Sequence, residues 1–429
     1  MSGKSPSTRF SVSRKKYYMS NAKCRFCAAS LKHSFCDLGM SPLSNSYLGA
    51  GQLHLKESFY PLHARVCASC FLVQLEEFQS PDNIFSDYAY FSSYSDSWLK
   101  HAEQYVNAMS ERFGLDKSSR VIELASNDGY LLQYFKDKHV PVMGIEPAAN
   151  VAEVARKKGI ETRVEFFGVD TANRLLAEGI RADLLLGNNV LAHVPDINDF
   201  VAGMKILLHP DGVITMEFPG LLQLMNGNQF DTIYHEHFSY ISFTVAERIF
   251  ARHGITLFDV EELPTHGGSL RIYGCHAEKP DMQVAASVAA AREREAESGL
   301  LNVETYEAFS SQVHETKRRL LEFLIKARDA GKRIAAYGAP AKGNTLLNYC
   351  GIRSDFIEYT VDRSPHKQGS YLPGTHIPVY APEKLSETKP DYVVILPWNL
   401  RDEIIDTMTH IREWGGKFVV FIPGVEVIE

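Results

Sequence analysis

Short continuous apolar runs alternate along the chain with stretches in which apolar residues recur at helical spacing, and this happens twice. The first series begins after Arg120, with runs at 121–124, 142–146, 183–186 and 212–217. Helical texture separates them, as at Leu131, Leu132 and Phe135. The second begins after Arg333, with runs at 334–337, 392–396 and 418–423 and a shorter one ending at Val361 and Asp362. Continuous rather than alternating apolar runs suit strands buried on both faces, and strands alternating with helices predict doubly wound α/β units. Between the two series, residues 285–330 are rich in Ala, Glu and Arg and read as helical, their charge a solvated face linking the units. Pro264 to Tyr273 reads as a turn feeding a strand. The N-terminal part has neither texture. It holds turn residues Gly39, Pro42 and Gly49, then a tyrosine-rich passage around Tyr88, Tyr90 and Tyr94.

Composition narrows the class. A chain of 429 residues is long enough for two or three domains, and 45% hydrophobic with 23% charged residues is globular. The first twenty residues are rich in Ser, Lys and Arg with no apolar run behind them, which predicts a flexible tail and no secretory signal. No apolar segment is long enough to cross a bilayer, so a soluble cytoplasmic protein with no membrane partner is expected. A net charge of −7 without basic stripes argues against a nucleic-acid partner.

Of seven cysteines, four form two C-x-x-C pairs: Cys24 with Cys27, and Cys67 with Cys70. Two residues between thiolates let both face one ion from a tight turn, and two such pairs complete a closed tetrahedral site, so structural zinc is expected. Of the three left over, Cys36 reads as a buried apolar residue. In the first α/β unit the strand at 121–124 runs into Ala125, Ser126, Asn127, Asp128 and Gly129, and the next strand ends in Glu146. Strand, small-residue turn and helix N-terminus form a nucleotide-type site, and an acid about twenty residues on can accept both hydroxyls of a ribose. The turn lacks the G-x-G-x-x-G of dinucleotide sites. Glu123-x-Ala125-x-Asn127-x-Gly129 instead resembles the acidic glycine-rich loop of S-adenosylmethionine methyltransferases, with two glycines replaced. Asn188 and Asn189 follow the third strand, at the carboxyl edge where doubly wound folds bind ligands. The second unit opens on Tyr337-Gly338-Ala339-Pro340-Ala341-Lys342-Gly343-Asn344, where a lysine joins the turn and suits phosphate. Between them, 230–240 packs Tyr234, His235, Glu236 and His237 among aromatic residues. Such a group can carry general-base chemistry or be a structural histidine pair.

In this order, the Cys pairs, ELASNDGYLL, NNVLAHVPD, FDTIYHEHF, HGGSLR, YGAPAKGN and VDRSPHKQG resemble the bacterial sugar C-methyltransferases of the tetronitrose C-methyltransferase group. These act on nucleotide-linked 4-keto deoxysugars, and the resemblance runs from about Cys24 to the last strand. It implies a zinc-binding domain (21–85, after a tail at 1–20), a Rossmann-like methyltransferase domain (86–285) and a Rossmann-like sugar-nucleotide domain with helical linker (286–429). By motif match His237 falls on the catalytic base, with Tyr234, Glu236 and His193 supporting it. Glu123, Ala125, Asn127, Gly129, Glu146, Asn188 and Asn189 are expected at S-adenosylmethionine. Tyr88, Lys342, Asn344 and Lys367 are expected at the substrate. The implied reaction takes a proton from the carbon beside the ketone, C3 ahead of C5, of a TDP- or GDP-linked 4-keto-6-deoxysugar in deoxysugar biosynthesis. Tyr234 or His193 would donate to the enolate oxygen, and the enolate carbon takes the methyl group. The chain is expected to be a monomer or weak oligomer. The rivals are a zinc-containing methyltransferase for another small molecule or a macromolecule, an NAD oxidoreductase, a metal enzyme using His235, Glu236, His237 and His266, and a non-catalytic binding protein.

Overall fold

A computed structural model describes residues 22–79, 92–94, 96–279 and 282–429, so Tyr88 lies outside the described residues. The central sheet has seven strands: Ile255–Leu263, Ser269–His276, Leu208–Pro219, Ala182–Asn188, Val121–Leu124, Val142–Ile145 and Thr162–Arg163. Its last five strands are parallel, and Ser269–His276 runs antiparallel to both neighbours. Every residue of Val121–Leu124 is buried. That two-faced burial is why the runs are mostly apolar, with Glu123 the polar exception in this strand. The C-terminal sheet runs Val379–Tyr380, Thr360–Val361, Ile334–Tyr337, Tyr392–Ile395, Lys417–Val420 and Glu426–Ile428. Here the first strand in sequence lies beside the fourth (Tyr392–Ile395), the reversal at which doubly wound sheets open a crevice. The central sheet reverses in the same way between Val121–Leu124 and Ala182–Asn188.

The N-terminal sheet is composite. Strands His33–Ser41, Tyr60–Val66 and Val73–Gln74 are joined on the far edge by Ser239–Tyr240, a strand from the centre of the chain. The same sheet packs on the linker: Phe35 stacks on Phe309 with centroids 4.7 Å apart and meets the edge of Tyr306 at 6.2 Å.

The linker forms helices Ala286–Glu297 and Val303–Asp329. Its charge is not all solvated. Glu295 is 3% exposed, and its two carboxylate oxygens accept from the backbone N–H groups of Phe243 (2.6 Å) and Thr244 (2.8 Å). Those are orphan donors at the N-terminus of helix Phe243–Arg252, where a carboxylate also suits the helix dipole. Ser242 caps the next amide, Val245. Glu295→Ala strands two buried donors, and we expect it to lower stability by about 2–3 kcal/mol, read as an earlier urea midpoint; an unchanged midpoint would show the cap to be dispensable.

Candidate active site

The loop after Val121–Leu124 keeps the conformation that its sequence disguises. Ala125, Asn127 and Gly129, the three positions where the related motif carries glycine, have φ of 56°, 50° and 74°. Two of them therefore hold a left-handed backbone without glycine, and Asn is among the residues that tolerate it. Asn127 is locked further: its side-chain oxygen accepts from the amides of Ser92 (3.0 Å) and Asp128 (2.9 Å). Glu146 follows the second strand, one oxygen accepting from Asn127 N (2.9 Å) and the other from Ala148 N (2.8 Å). Each oxygen keeps a lone pair for a hydroxyl, and burial raises the carboxyl above its usual range.

Ala125, Asn127, Glu146, Asn188 and Asn189 line one cavity of about 800 Å³. Glu123 and Gly129 do not. Glu123 is fully buried beneath the loop, and burial with Glu146 and Asp128 nearby raises its pKa well above the carboxylate range against a hydrogen bond from Tyr130. Gly129 is where the backbone packs closely on helix Ala149–Lys157 and on Ile160 beyond it, since a Cβ there would stand 2.4 Å from Ile160 Cδ1 and 3.2 Å from Ala155 Cβ.

The same cavity is lined by His193, Tyr234, Glu236 and His237. The segment carrying the last three is irregular: a 3-10 turn at Phe230–Thr232, then a turn leading into strand Ser239–Tyr240. His237 Nδ1 lies 3.0 Å from Thr232 O, and His193 Nδ1 lies 2.9 Å from Glu236 O. A carbonyl oxygen only accepts, so each Nδ1 carries the proton and each Nε2 presents a lone pair. Two consequences follow. His237 has the tautomer of a base. Neutral His193 shares it and has no N–H left for an enolate oxygen, so the donor role expected of His193 is not available to it. The rings meet at 4.7 Å and 73°, and Tyr234 lies against His237 at 4.0 Å. Burial lowers His193 to about 4, and burial, His193 and Lys342 hold His237 well below its usual value. Both rings stay neutral at physiological pH.

Glu236 is 5% exposed and accepts from Asn45 Nδ2 at 2.7 Å. Burial pushes it up to about 7 against that hydrogen bond. His235 turns away. It lies 3.2 Å from Pro61 O, meets the edge of Tyr60 at 5.9 Å and does not line the cavity. It ties the segment to the N-terminal sheet.

The far wall comes from the carboxyl edge of the C-terminal sheet. Lys342 Nζ donates to Asn399 Oδ1 (2.8 Å) and sits 4.4 Å over the Trp398 ring. Trp398 Nε1 in turn donates to the buried Asp231 (2.7 Å), whose pKa burial raises to about 6. Lys367 also lines the cavity, but it is already paired with Asp362 (3.4 Å) and donates to Ala339 O (3.0 Å). Asn344 does not reach the cavity; it is 1% exposed with both side-chain polar atoms unpaired, for which the structure offers no account. Asn45 and Tyr47, from the N-terminal unit, do line it, and Tyr47 donates to Ala339 O at 2.5 Å. No spacing rule flags either residue.

The sulfurs of Cys24, Cys27, Cys67 and Cys70 lie within 4.8 Å of one another, with Cys24–Cys70 and Cys27–Cys67 at 3.5 Å. A tetrahedral zinc with about 2.3 Å bonds sets its sulfurs about 3.8 Å apart, so the four thiols fit it. Among the described residues no second such cluster occurs, and the histidine–carboxylate metal site built on His235, Glu236, His237 and His266 is not formed.

Comparison with known proteins decides the family. A zinc binding domain model matches residues 24–85, a methyltransferase domain model 98–260, and a C-methyltransferase C-terminal domain model 264–423. The C-methyltransferase NovU of Streptomyces niveus is 35% identical over 406 residues, covering 95% of this chain and 96% of its own. The chain belongs to this C-methyltransferase family. A ubiquinone biosynthesis O-methyltransferase of a Chelativorans species is 28% identical over 96 residues, 22% of this chain and 38% of that one. Among solved structures, the PH0226 protein of Pyrococcus horikoshii has a TM-score of 0.35 at 14% identity, over 46% of this chain and 99% of that one. Magnesium protoporphyrin IX methyltransferase from Synechocystis has 0.34 at 12% identity, over 42% and 83%. The C-methyltransferase thus uses S-adenosylmethionine and carries zinc in its N-terminal domain.

Glu236 makes stability depend on pH. Its folded value of about 7 exceeds the ordinary 4.5, so the native state holds the proton more tightly. Stability is therefore lost as pH rises from 4.5 through 7, by up to about 3 kcal/mol. Glu236→Gln keeps an acceptor for Asn45 and cannot ionise. Urea midpoints of the two proteins should agree near pH 5, with the variant more stable at pH 8; parallel pH profiles would refute the assignment.

Proposed function

We propose that this C-methyltransferase methylates the carbon next to the ketone, C3 ahead of C5, of a TDP- or GDP-linked 4-keto-6-deoxysugar in deoxysugar biosynthesis, with His237 as base. One observation carries the reading. A single cavity joins the carboxyl edges of two doubly wound sheets, with the paired imidazoles between them. It is roomy enough for two ligands, and ligands bind such edges.

S-adenosylmethionine supplies an electrophilic methyl group. On its side Glu146 holds two acceptors for ribose hydroxyls, and Asn127 and Asn189 shape the wall. On the other side Lys342 is the better anion site of the two lysines. Its hydrogen-bond partner is the neutral Asn399 and Asp231 acts on it without a direct ion pair, whereas Lys367 is paired with Asp362 at 3.4 Å. Lys342 then takes the sugar nucleotide's pyrophosphate, at the turn that opens the C-terminal unit, and residues 286–429 serve as the nucleotide domain.

Between the two, His237 Nε2 takes the proton from the carbon flanking the ketone. The pair of electrons moves onto the carbonyl oxygen, and the resulting carbanion carbon accepts the methyl group. A neutral, depressed imidazole is a weak base for such a proton. Donors on the developing oxygen must therefore contribute several kcal/mol, and the Tyr234 hydroxyl is one. Glu236, near half-protonated at neutrality, lines the same cavity, and its backbone carbonyl fixes His193.

The decisive assay incubates the enzyme with S-adenosylmethionine and a TDP- or a GDP-linked 4-keto-6-deoxyhexose, and identifies the product by NMR. A new methyl on a carbon flanking the ketone is expected; no product from either sugar overturns the reading. His237→Asn should cut turnover by at least about 10²-fold and leave S-adenosylmethionine affinity within about twofold. Lys342→Ala should raise KM for the sugar nucleotide far more than for S-adenosylmethionine, and equal effects on both would remove Lys342 from the pyrophosphate.

A further inference from the structure

The turn Thr265–Gly267 holds one residue in an unfavourable backbone. His266 has φ 53° and ψ 19°, a left-handed conformation that costs a side-chain-bearing residue of order 1 kcal/mol or more. The surroundings enforce it. Thr265 Oγ1 donates to Glu217 (2.9 Å), itself clasped by Arg271 (2.7 Å) and His101 (2.9 Å). Gly267 O accepts from Gln229 Nε2 (2.7 Å), and Gly268 O accepts from Gly220 N (3.0 Å). A Cβ on Gly267 would stand 2.5 Å from the Trp398 ring, and one on Gly268 2.6 Å from Gln223. The turn is anchored on every side, and it presents His266 to the cavity wall.

Its hydrogen bonding fixes the tautomer. Asn189 Nδ2 lies 2.9 Å from His266 Nε2, and an amide nitrogen only donates, so Nε2 is the acceptor and Nδ1 carries the proton. This is the reverse of His193 and His237. No partner for that Nδ1–H occurs among the described residues, and the ring packs 5.0 Å from Trp98. Burial, then Lys342, holds His266 to about 4, so it stays neutral at physiological pH. His266 and Lys342 both depress His237, which sets the three within electrostatic reach of one another.

We propose that His266 is a catalytic residue that donates its Nδ1–H to the ketone oxygen of the substrate as that oxygen becomes the enolate, beside the Tyr234 hydroxyl. The inference rests on the ketosugar reading above. The step balances with no further reactant: the C–H electrons move to oxygen, His237 Nε2 takes the proton, and His266 keeps its own. It supplies what the other two imidazoles cannot, since both offer lone pairs. A neutral imidazole held far from its charged form is a known electrophile for a carbonyl that enolises.

The test separates proton removal from methyl transfer. Enzyme with S-adenosylhomocysteine and a TDP- or GDP-linked 4-keto-6-deoxyhexose in D2O should wash deuterium into the carbon beside the ketone, followed by NMR. His266→Asn accepts the left-handed backbone and preserves the fold; His266→Gly is the second variant. In both, exchange and methylation should fall together by about 10²-fold or more, with S-adenosylmethionine Kd and sugar-nucleotide KM within about threefold. Unchanged exchange, or a loss confined to the Kd or to the KM, overturns the role of His266. A wild-type enzyme that neither exchanges nor methylates either sugar overturns the ketosugar reading instead.

Discussion

The segment from Phe230 to Ile241 belongs to no single sheet, and the candidate site depends on how three units share its backbone. Its end pairs with the N-terminal sheet, Tyr240 against Val73 and Ser239 against Gln74. Leu75 N donates to Phe238 O, and Phe238 N donates to Ala192 O in the loop carrying His193. From the C-terminal side, Thr345 Oγ1 donates to Ile233 O (3.1 Å) and Trp398 to Asp231 (2.7 Å). An irregular segment has no ladder of its own, so every buried carbonyl must find a donor elsewhere. Here two of those carbonyls, Thr232 O and Glu236 O, are the acceptors that fix the tautomers of His237 and His193. The chemistry of the rings is thus set by backbone that the whole chain holds in place.

The electrostatics follow from that enclosure. Charge is expensive for groups buried from water, so imidazoles lose basicity and carboxyls hold their protons to higher pH. His193 falls to about 4 while Glu236 and Asp231 rise to about 7 and 6. The imidazoles are therefore neutral at physiological pH, which favours hydrogen-bond donation and lone-pair acceptance, whereas Asp231 at about 6 is largely ionised there. Lys342 faces that carboxylate, and burial lowers its pKa against the pull of Asp231.

The strands, the two cysteine pairs and the Tyr234–His237 cluster were legible because each is a local pattern: a buried run, a fixed spacing, a dense chemistry. What was not legible is conformation without its usual residue, and contact across sequence distance. Ala125 and Asn127 conceal a glycine-type loop because φ is set by the packing of Ser92, Asp128 and Glu146 around them. Glu123 and Gly129 match the motif yet face inward, one buried under the loop and one against Ile160, so motif identity did not report orientation. Asn45 meets Glu236 across 191 residues, and no periodicity encodes that. Glu295 looked like solvent-facing charge because only its partners, two amides of another helix, mark it as a cap.

The zinc unit is commonly the kind of element one would call a separate module, and the contacts argue otherwise. Gln74, which pairs with Ser239, also donates to Cys24 Sγ (3.2 Å) and accepts from Arg25 N (2.8 Å). Arg25, inside the first cysteine pair, donates to Pro195 O (2.7 Å) and Leu75 O (2.5 Å) and lies over the Phe238 ring at 5.4 Å. One guanidinium therefore spans the loop of His193, the strand leading from the second cysteine pair, and the residue next to His237. Burial lowers the pKa of Arg25 to about 10, so the cation persists at neutrality and its carbonyl contacts are charge-assisted. A closed thiolate shell would hold its knuckle rigidly, and that rigidity reaches the two imidazoles through backbone carbonyls. On this geometry the metal need not touch substrate to matter, because it fixes the scaffold against which two histidine-bearing loops are aligned.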